Sequence, residues 1–232
     1  MATVQLFSGG LTRIDEQGQW TGIYKQAVAG PVAVSFVGLA GDVQADRRVH
    51  GGPEKAVHHY AVENYERLAK IFPALAARLV AGSIGENISA SGFDESSVCI
   101  GDVFRLGSAT LQVSQPRSPC WKIDHRYGSD GVARAIAETG LTGWYYRVLE
   151  EGTVSNGDEL ALLESLPGAV SLAHLWGVWR EHRPEPVILE RMSAAPGLTT
   201  GWRKKLIDRL LWLREHTDKS APAPTSQRGR QD

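Results

Sequence analysis

The chain has 232 residues, 42% hydrophobic and 22% charged, with 25 basic residues against 26 acidic ones and a formal net charge of −1. That length suffices for a real core in one medium domain, or a domain with a small appendage, and the charge balance gives no general pull toward nucleic acid or anionic membrane. Two cysteines, Cys99 and Cys120, cannot staple a secreted scaffold. Met1 to Gln5 opens without the basic and apolar regions of a signal peptide, and no apolar stretch approaches the roughly 20 residues that cross a bilayer. A soluble, cytoplasmic protein is expected.

In chain order, Pro31 to Val37 alternates, with Val32, Val34 and Phe36 on one side, the period of a half-buried strand. A helix is expected over roughly Glu63 to Ile71, before Pro73 restarts the chain. Ser97 to Ile100, Asp102 to Leu106 and Thr110 to Ser114 read as a strand meander broken at Gly101 and Gly107-Ser108. A second helix runs from a cap at Ser129 or Asp130 to a stop at Gly140. Trp144 to Leu149 and Glu159 to Leu163 are further strands around the turn signals Glu151-Gly152 and Asn156-Gly157-Asp158. Short, regularly spaced strands with few helices indicate an α+β, mainly β fold, a curved antiparallel sheet or barrel rather than a doubly wound one.

The last third changes character. Leu172, Leu175, Trp176 and Trp179 recur at helical spacing, as do Trp202, Leu206, Leu210 and Leu213 after a cap at Thr199 or Thr200. Val187 to Met192, after Pro186, supplies a third, shorter helix. With Trp212, these tryptophans offer enough apolar surface for a small core of their own, and core packing is their plainest role. The division is residues 1–166, β-rich; 167–215, a three-helix domain; and 216–232, a tail too polar to bury anything.

Three segments could carry chemistry. Val113-Ser114-Gln115-Pro116-Arg117-Ser118-Pro119-Cys120 leaves a strand and enters a turn stiffened by two prolines, which limit the entropy lost in presenting a side chain. Cys120 stands between Arg117 and Lys122, and neighbouring positive charge favours the nucleophilic, metal-binding thiolate. Cys99, inside Val98-Cys99-Ile100, fits a small buried hydrophobe. The segment from Gly41 to Lys55 combines Arg47, Arg48, His50, Gly51, Gly52 and Lys55, a composition that cradles an anion or makes an ordinary polar turn. It has neither Walker nor dinucleotide spacing, and His50, His58 and His59 match no common zinc pattern. Gly82-Ser83-Ile84-Gly85-Glu86-Asn87 is a third, weaker glycine loop.

Taken together, Val49-His50-Gly51-Gly52-Pro53 with His59-Tyr60, Gly85-Glu86-Asn87, Ile100-Gly101-Asp102 and above all Ser114-Gln115-Pro116-Arg117-Ser118-Pro119-Cys120 resemble the MOSC family, named after the C-terminal domain of molybdenum cofactor sulfurases, and within it the YiiM-like bacterial branch with a three-helix extension. The likeness covers nearly everything but the tail. It implies a bound molybdenum cofactor, a pterin dithiolene carrying a phosphate, with Cys120 as the protein's ligand to molybdenum; a soft thiolate suits such a centre. By resemblance and chemistry, Arg117, Lys55 and the His50-Gly51-Gly52 backbone are assigned to the anion, with Arg48 a further cation and Asn87 and Gln115 as pterin contacts. His59, or else His58, is a candidate proton donor, against a purely structural role.

The family implies two-electron reduction of N-hydroxylated compounds such as nucleobases and amidoximes. No flavin, haem or iron–sulfur motif is visible, so a separate flavoprotein reductase is the expected electron donor. No nucleic-acid or membrane partner is expected, and a homodimer is left open. Two other readings use the same thiol: a sulfur carrier holding a persulfide on Cys120, and a non-catalytic cofactor-binding module.

Overall fold

A computed structural model describes residues 2–14, 18–46 and 51–217. Seven strands close into a barrel: β1 (Ala2–Ser8), β7 (Val57–Ala61), β8 (Ile88–Ala90), β9 (Val103–Leu106), β10 (Ala109–Pro116), β11 (Trp144–Glu150) and β13 (Glu159–Glu164). Their order is β13-β9-β10-β11-β7-β8-β1, and β1 pairs back onto β13 through Ala2↔Leu160 and Thr3↔Glu159. All of these ladders are antiparallel except β7–β8. Closure removes the free edges an open sheet would expose. Shorter strands flank the barrel: β2 (Thr12–Arg13), β3 (Trp20–Thr21), β4 (Gln26–Ala27), β5 (Val32–Ser35), β6 (Gly38–Leu39) and β12 (Gly152–Val154).

Among the described residues six α-helices complete the fold: α1 (Val62–Ile71), α2 (Lys122–Tyr127), α3 (Val132–Thr139), α4 (Leu172–Arg180), α5 (Pro186–Ser193) and α6 (Thr200–Thr217). Alternation along β11 sends Trp144, Tyr146 and Val148 into the barrel core, beside Leu6, Phe104, Leu111 and Val113. A second apolar layer outside the wall joins Tyr60 of β7 to α1, α2 and α3 through Tyr65, Leu68, Ile123 and Ile136. Burying both faces of β7 leaves none of its five residues exposed.

Several expectations need correction. The alternation after Pro31 ends at Ser35, and Phe36 sits in the β5–β6 turn, 51% exposed. Ser97 to Ile100 is a turn carrying one isolated bridge, Cys99↔Ser171, and Cys99 is half-buried there rather than sunk in a strand. The six-residue α2 escaped the periodicity, being too short to repeat an apolar face and burying just Ile123 and Tyr127. Helix α3 starts at Val132 after Gly131, not at a Ser129 or Asp130 cap.

The three C-terminal helices form where the spacing puts them. Ser171 caps α4 by accepting the His174 N–H, and the Thr199 hydroxyl accepts the Trp202 N–H at the start of α6. Their core is not separate, however: Leu172, Trp176, Leu189, Trp202 and Leu206 belong to the same continuous apolar cluster as the barrel interior. Trp212 does not join it; it is 47% exposed and stacks on His216. Helix α6 runs through His216 to Thr217, and the remainder of the expected tail lies outside the described residues. Among the described residues no helix is long and apolar enough to cross a membrane.

Candidate functional site

A cleft lies against the outer face of β7 and β11. Its walls come from five stretches of chain: residues 21–25, the 43–45 loop, Lys55 to His58, the 84–87 loop, and the turn from Arg117 to Lys122, with Tyr145 of β11 at its base. Lys25, Lys55, Arg117 and Lys122 all line it. Asp42 neutralises one of these charges, pairing with Lys25 at 2.7 Å. The remaining balance is positive, the environment that holds an anion.

Arg117 and Cys120 share this cleft because β10 ends at Pro116 and the chain turns across it. The Arg117 N–H donates to the Gly143 carbonyl at 3.0 Å, fixing the turn to the segment just before β11. Arg117 is only 5% exposed, yet its Nε and Nη1 have no hydrogen-bond partner among the described residues. Buried guanidinium N–H groups left unpaired are costly, so finding them on a residue that lines the cleft marks a place for an acceptor. Cys120 is a free, half-buried thiol whose carbonyl accepts the Ile123 N–H as α2 begins. Burial raises the Tyr145 pKa, with the hydrogen-bonded Arg117 guanidinium opposing that rise.

The two adjacent histidines separate by strand alternation. His58 faces the cleft, its Nε2 unpartnered among the described residues. Burial, then Arg117 and Lys25, hold its pKa well below the ordinary imidazole value, against a backbone hydrogen bond with Gly85 that favours the cation. His59 points the other way. Its Nδ1 lies 3.0 Å from the Tyr146 hydroxyl, its ring packs at 4.2 Å from Trp144, and burial pushes its pKa down to about 3. The expectation that His59 supplies a proton therefore fails on direction: it belongs to the barrel interior. Gly143 makes the close approach between β7 and β11 workable. Its φ is +65°, and a Cβ there would sit 2.4 Å from the His59 carbonyl and 3.1 Å from His58 Nε2.

Lys55 lines the cleft as expected, and burial followed by the nearby Lys205 lowers its pKa. Asn87 lines it too, but its amide is engaged in structure: Oδ1 accepts the His58 N–H at 3.0 Å and Nδ2 donates to the Phe7 carbonyl at 3.2 Å. Glu86 organises the loop beneath, accepting the Gly82 and Ile84 N–H groups and the Ser89 and Tyr65 hydroxyls. Gln115 is not at the cleft. A bulge between Val113 and Gln115 redirects β10, and the Gln115 Oε1 accepts the Thr199 hydroxyl at 3.0 Å. Gly51 and Gly52 precede the Pro53–Lys55 turn and are not among the lining residues. Arg48 and His50 lie outside the described residues.

Sequence reasoning missed Lys25 and Tyr145. Lys25 is buried, and burial pulls its pKa below the lysine range while Asp42 opposes. Asp42 also accepts the Gly9 N–H at 3.1 Å and the Gln44 amide at 3.1 Å, tying the first wall to the 43–45 loop. Nothing local in Tyr24-Lys25-Gln26 announces this. For Tyr145 and His58 a signal did exist: both alternate with core-facing neighbours, Trp144 and Tyr146 in one strand and Val57 and His59 in the other.

The MOSC domain model matches residues 46–161, a span that includes Lys55, His58, Asn87, Arg117 and Cys120. Over 209 residues the chain is 36% identical to protein YiiM of Escherichia coli strain K12, covering 90% of this chain and 92% of that one. The crystal structure of E. coli YiiM superposes with a TM-score of 0.77 at 32% identity, over 91% of this chain and 92% of the other. A protein of Gibberella moniliformis named "Reductase" is 38% identical over 143 residues, 61% of this chain and 25% of that longer protein.

Proposed function

The chain belongs to the MOSC domain family, and on that premise we propose that it is a molybdenum-cofactor-dependent reductase of N-hydroxylated compounds, nucleobases and amidoximes among them, supplied with electrons by a separate flavoprotein. The observation that carries this reading is the pairing, in one cationic cleft, of a free thiol with a buried guanidinium whose Nε and Nη1 have no partner among the described residues. Such a donor set fits a phosphorylated pterin that presents a soft metal. The fungal relative named as a reductase supports the reaction class.

In this reading the Cys120 sulfur is the protein's bond to molybdenum. Arg117 would donate Nε–H and Nη1–H to the anionic part of the cofactor, with Lys55 and Lys122 adding charge from the lining. The Gly82–Asn87 loop, fixed by Glu86, keeps the chain close to the cleft; at Gly85 (φ +88°) a Cβ would stand 2.8 Å from Ile23 Cγ1. His58 replaces His59 as the proton-handling group. Burial, then Arg117 and Lys25, disfavour its cation, and an anion placed beside it would raise its proton affinity. The cofactor, when bound, supplies the two-electron step that the side chains cannot. In sum, the N–O bond is cleaved by two electrons and two protons, giving the amine or amidine and water.

The test is to produce the protein in a host that makes the cofactor, then measure molybdenum, pterin and reduction of an N-hydroxylated purine with a flavoprotein or chemical donor. Bound molybdenum and pterin with turnover are expected. Bound pterin without turnover returns the binding-module reading. A persulfide on Cys120 with neither metal nor pterin returns the sulfur-carrier reading and overturns the proposal.

A further inference from the structure

The turn that brings Lys55 to the cleft is held from behind by the C-terminal helices. Within Pro53–Lys55, Lys55 lines the cleft while the preceding carboxylate turns to α6. Glu54 Oε1 and Oε2 accept the Thr200 N–H at 3.0 and 3.3 Å, and Oε2 accepts the Thr200 hydroxyl at 2.7 Å. Arg147 of β11 stands 3.4 Å from the same carboxylate and donates to the Gly197 carbonyl at 2.8 Å, just before α6.

The backbone repeats the connection. Ser114 donates its hydroxyl to the Glu54 carbonyl at 2.6 Å, and the Ser114 carbonyl accepts the Thr199 N–H at 3.2 Å. The start of α6 thus meets both the turn that carries Lys55 and the end of the strand that leads to Arg117 and Cys120. No side chain caps the Pro53–Lys55 turn from within. Among the described residues, the side-chain partners of Glu54 lie on β11 and α6.

We propose that Glu54 is a positioning residue through which α6 sets the Lys55 wall of the cleft, so that the helical region is part of the site rather than an appendage to it. This rests on reading the cleft as an anion site. A carboxylate that merely caps α6 would affect stability and leave the cleft unchanged, whereas a positioning carboxylate acts through Lys55.

The experiment uses the full, cofactor-free chain with pyrophosphate as the probe, comparing Glu54→Gln, Lys55→Met and the double variant. Calorimetric titration gives affinity, and hydrogen exchange follows the Lys55 and Ala56 amides, which donate to Gly52 and Tyr146 carbonyls. Glu54→Gln, which keeps the shape and weakens the charge-assisted bonds, is expected to reduce affinity about three- to tenfold and to speed exchange at these amides. In the Lys55→Met background the same substitution is expected to leave affinity unchanged. Unaltered exchange or affinity in Glu54→Gln overturns the proposal, as does an undiminished loss in the Lys55→Met background. If the unsubstituted chain fails to bind pyrophosphate, the anion reading falls and the proposal with it; altered exchange without that failure separates the two.

Discussion

His58 and His59 are neighbours on one strand, yet one lines a cationic cleft and the other is enclosed by Trp144 and Tyr146 inside the barrel. The same division runs along β11, where Tyr145 faces the cleft between two core residues. On the inner face, aromatic and apolar side chains pack on one another and His59 Nδ1 meets the Tyr146 hydroxyl, while His59 Nε2 and Trp144 Nε1 have no partner among the described residues. On the outer face, Arg117 keeps two buried N–H groups without partners among the described residues, and burial desolvates Lys25 and Lys55. One wall thus has two surroundings through the two-residue period of a strand: an apolar, aromatic interior on one face and a cleft lined by basic side chains on the other.

The largest separation between the faces is expected at Arg117. Arg117→Met removes a buried charge whose desolvation is incompletely compensated, so unfolding free energy should hold or rise while cofactor retention falls on the order of tenfold or more. Urea unfolding and molybdenum analysis of the same preparation check both halves. A loss of stability with full retention would place Arg117 among the structural residues instead.

Acid is the next probe, because it acts on the inner face without any ligand. His59 is held at about 3 against an ordinary value of 6.5. Between these values the unfolded chain binds a proton that the folded barrel refuses. Stability from this group is therefore whole above pH 6.5 and lost as pH falls toward 3, by up to about 1.4 kcal/mol per pH unit. His59→Phe should make that limb shallower, leaving the share from His58, in urea unfolding measured from pH 7 to 4.5, whatever it does to stability at pH 7. Parallel curves for the two proteins would contradict the buried, neutral ring.

How much of this was legible beforehand follows from the same physics. Alternation and turn glycines located most of β9, β10, β11 and β13, and the helical spacing of Leu and Trp located α4 and α6, because these patterns reflect burial on one face. The proline-bracketed Arg117-Ser118-Pro119-Cys120 turn was visible as a rigid presentation of chemistry. What sequence could not show was direction where the pattern is broken. The β10 bulge turned Gln115 toward Thr199, and in β7, buried on both faces, no polar face reinforced the alternation that sets His58 apart from Val57 and His59. Lys25 was hidden for another reason: its partner Asp42 is 17 positions away, and only the folded chain brings them together.

The claim on which the functional account turns is that the cleft thiol bonds the metal while bearing little of the fold. Molybdenum X-ray absorption on the loaded protein, compared with Cys120→Ser prepared identically, addresses it directly. The account predicts a protein sulfur ligand that disappears in the variant, together with most of the metal, while the thermal midpoint moves by no more than about 2 °C. Unchanged sulfur coordination and metal content in Cys120→Ser would contradict it.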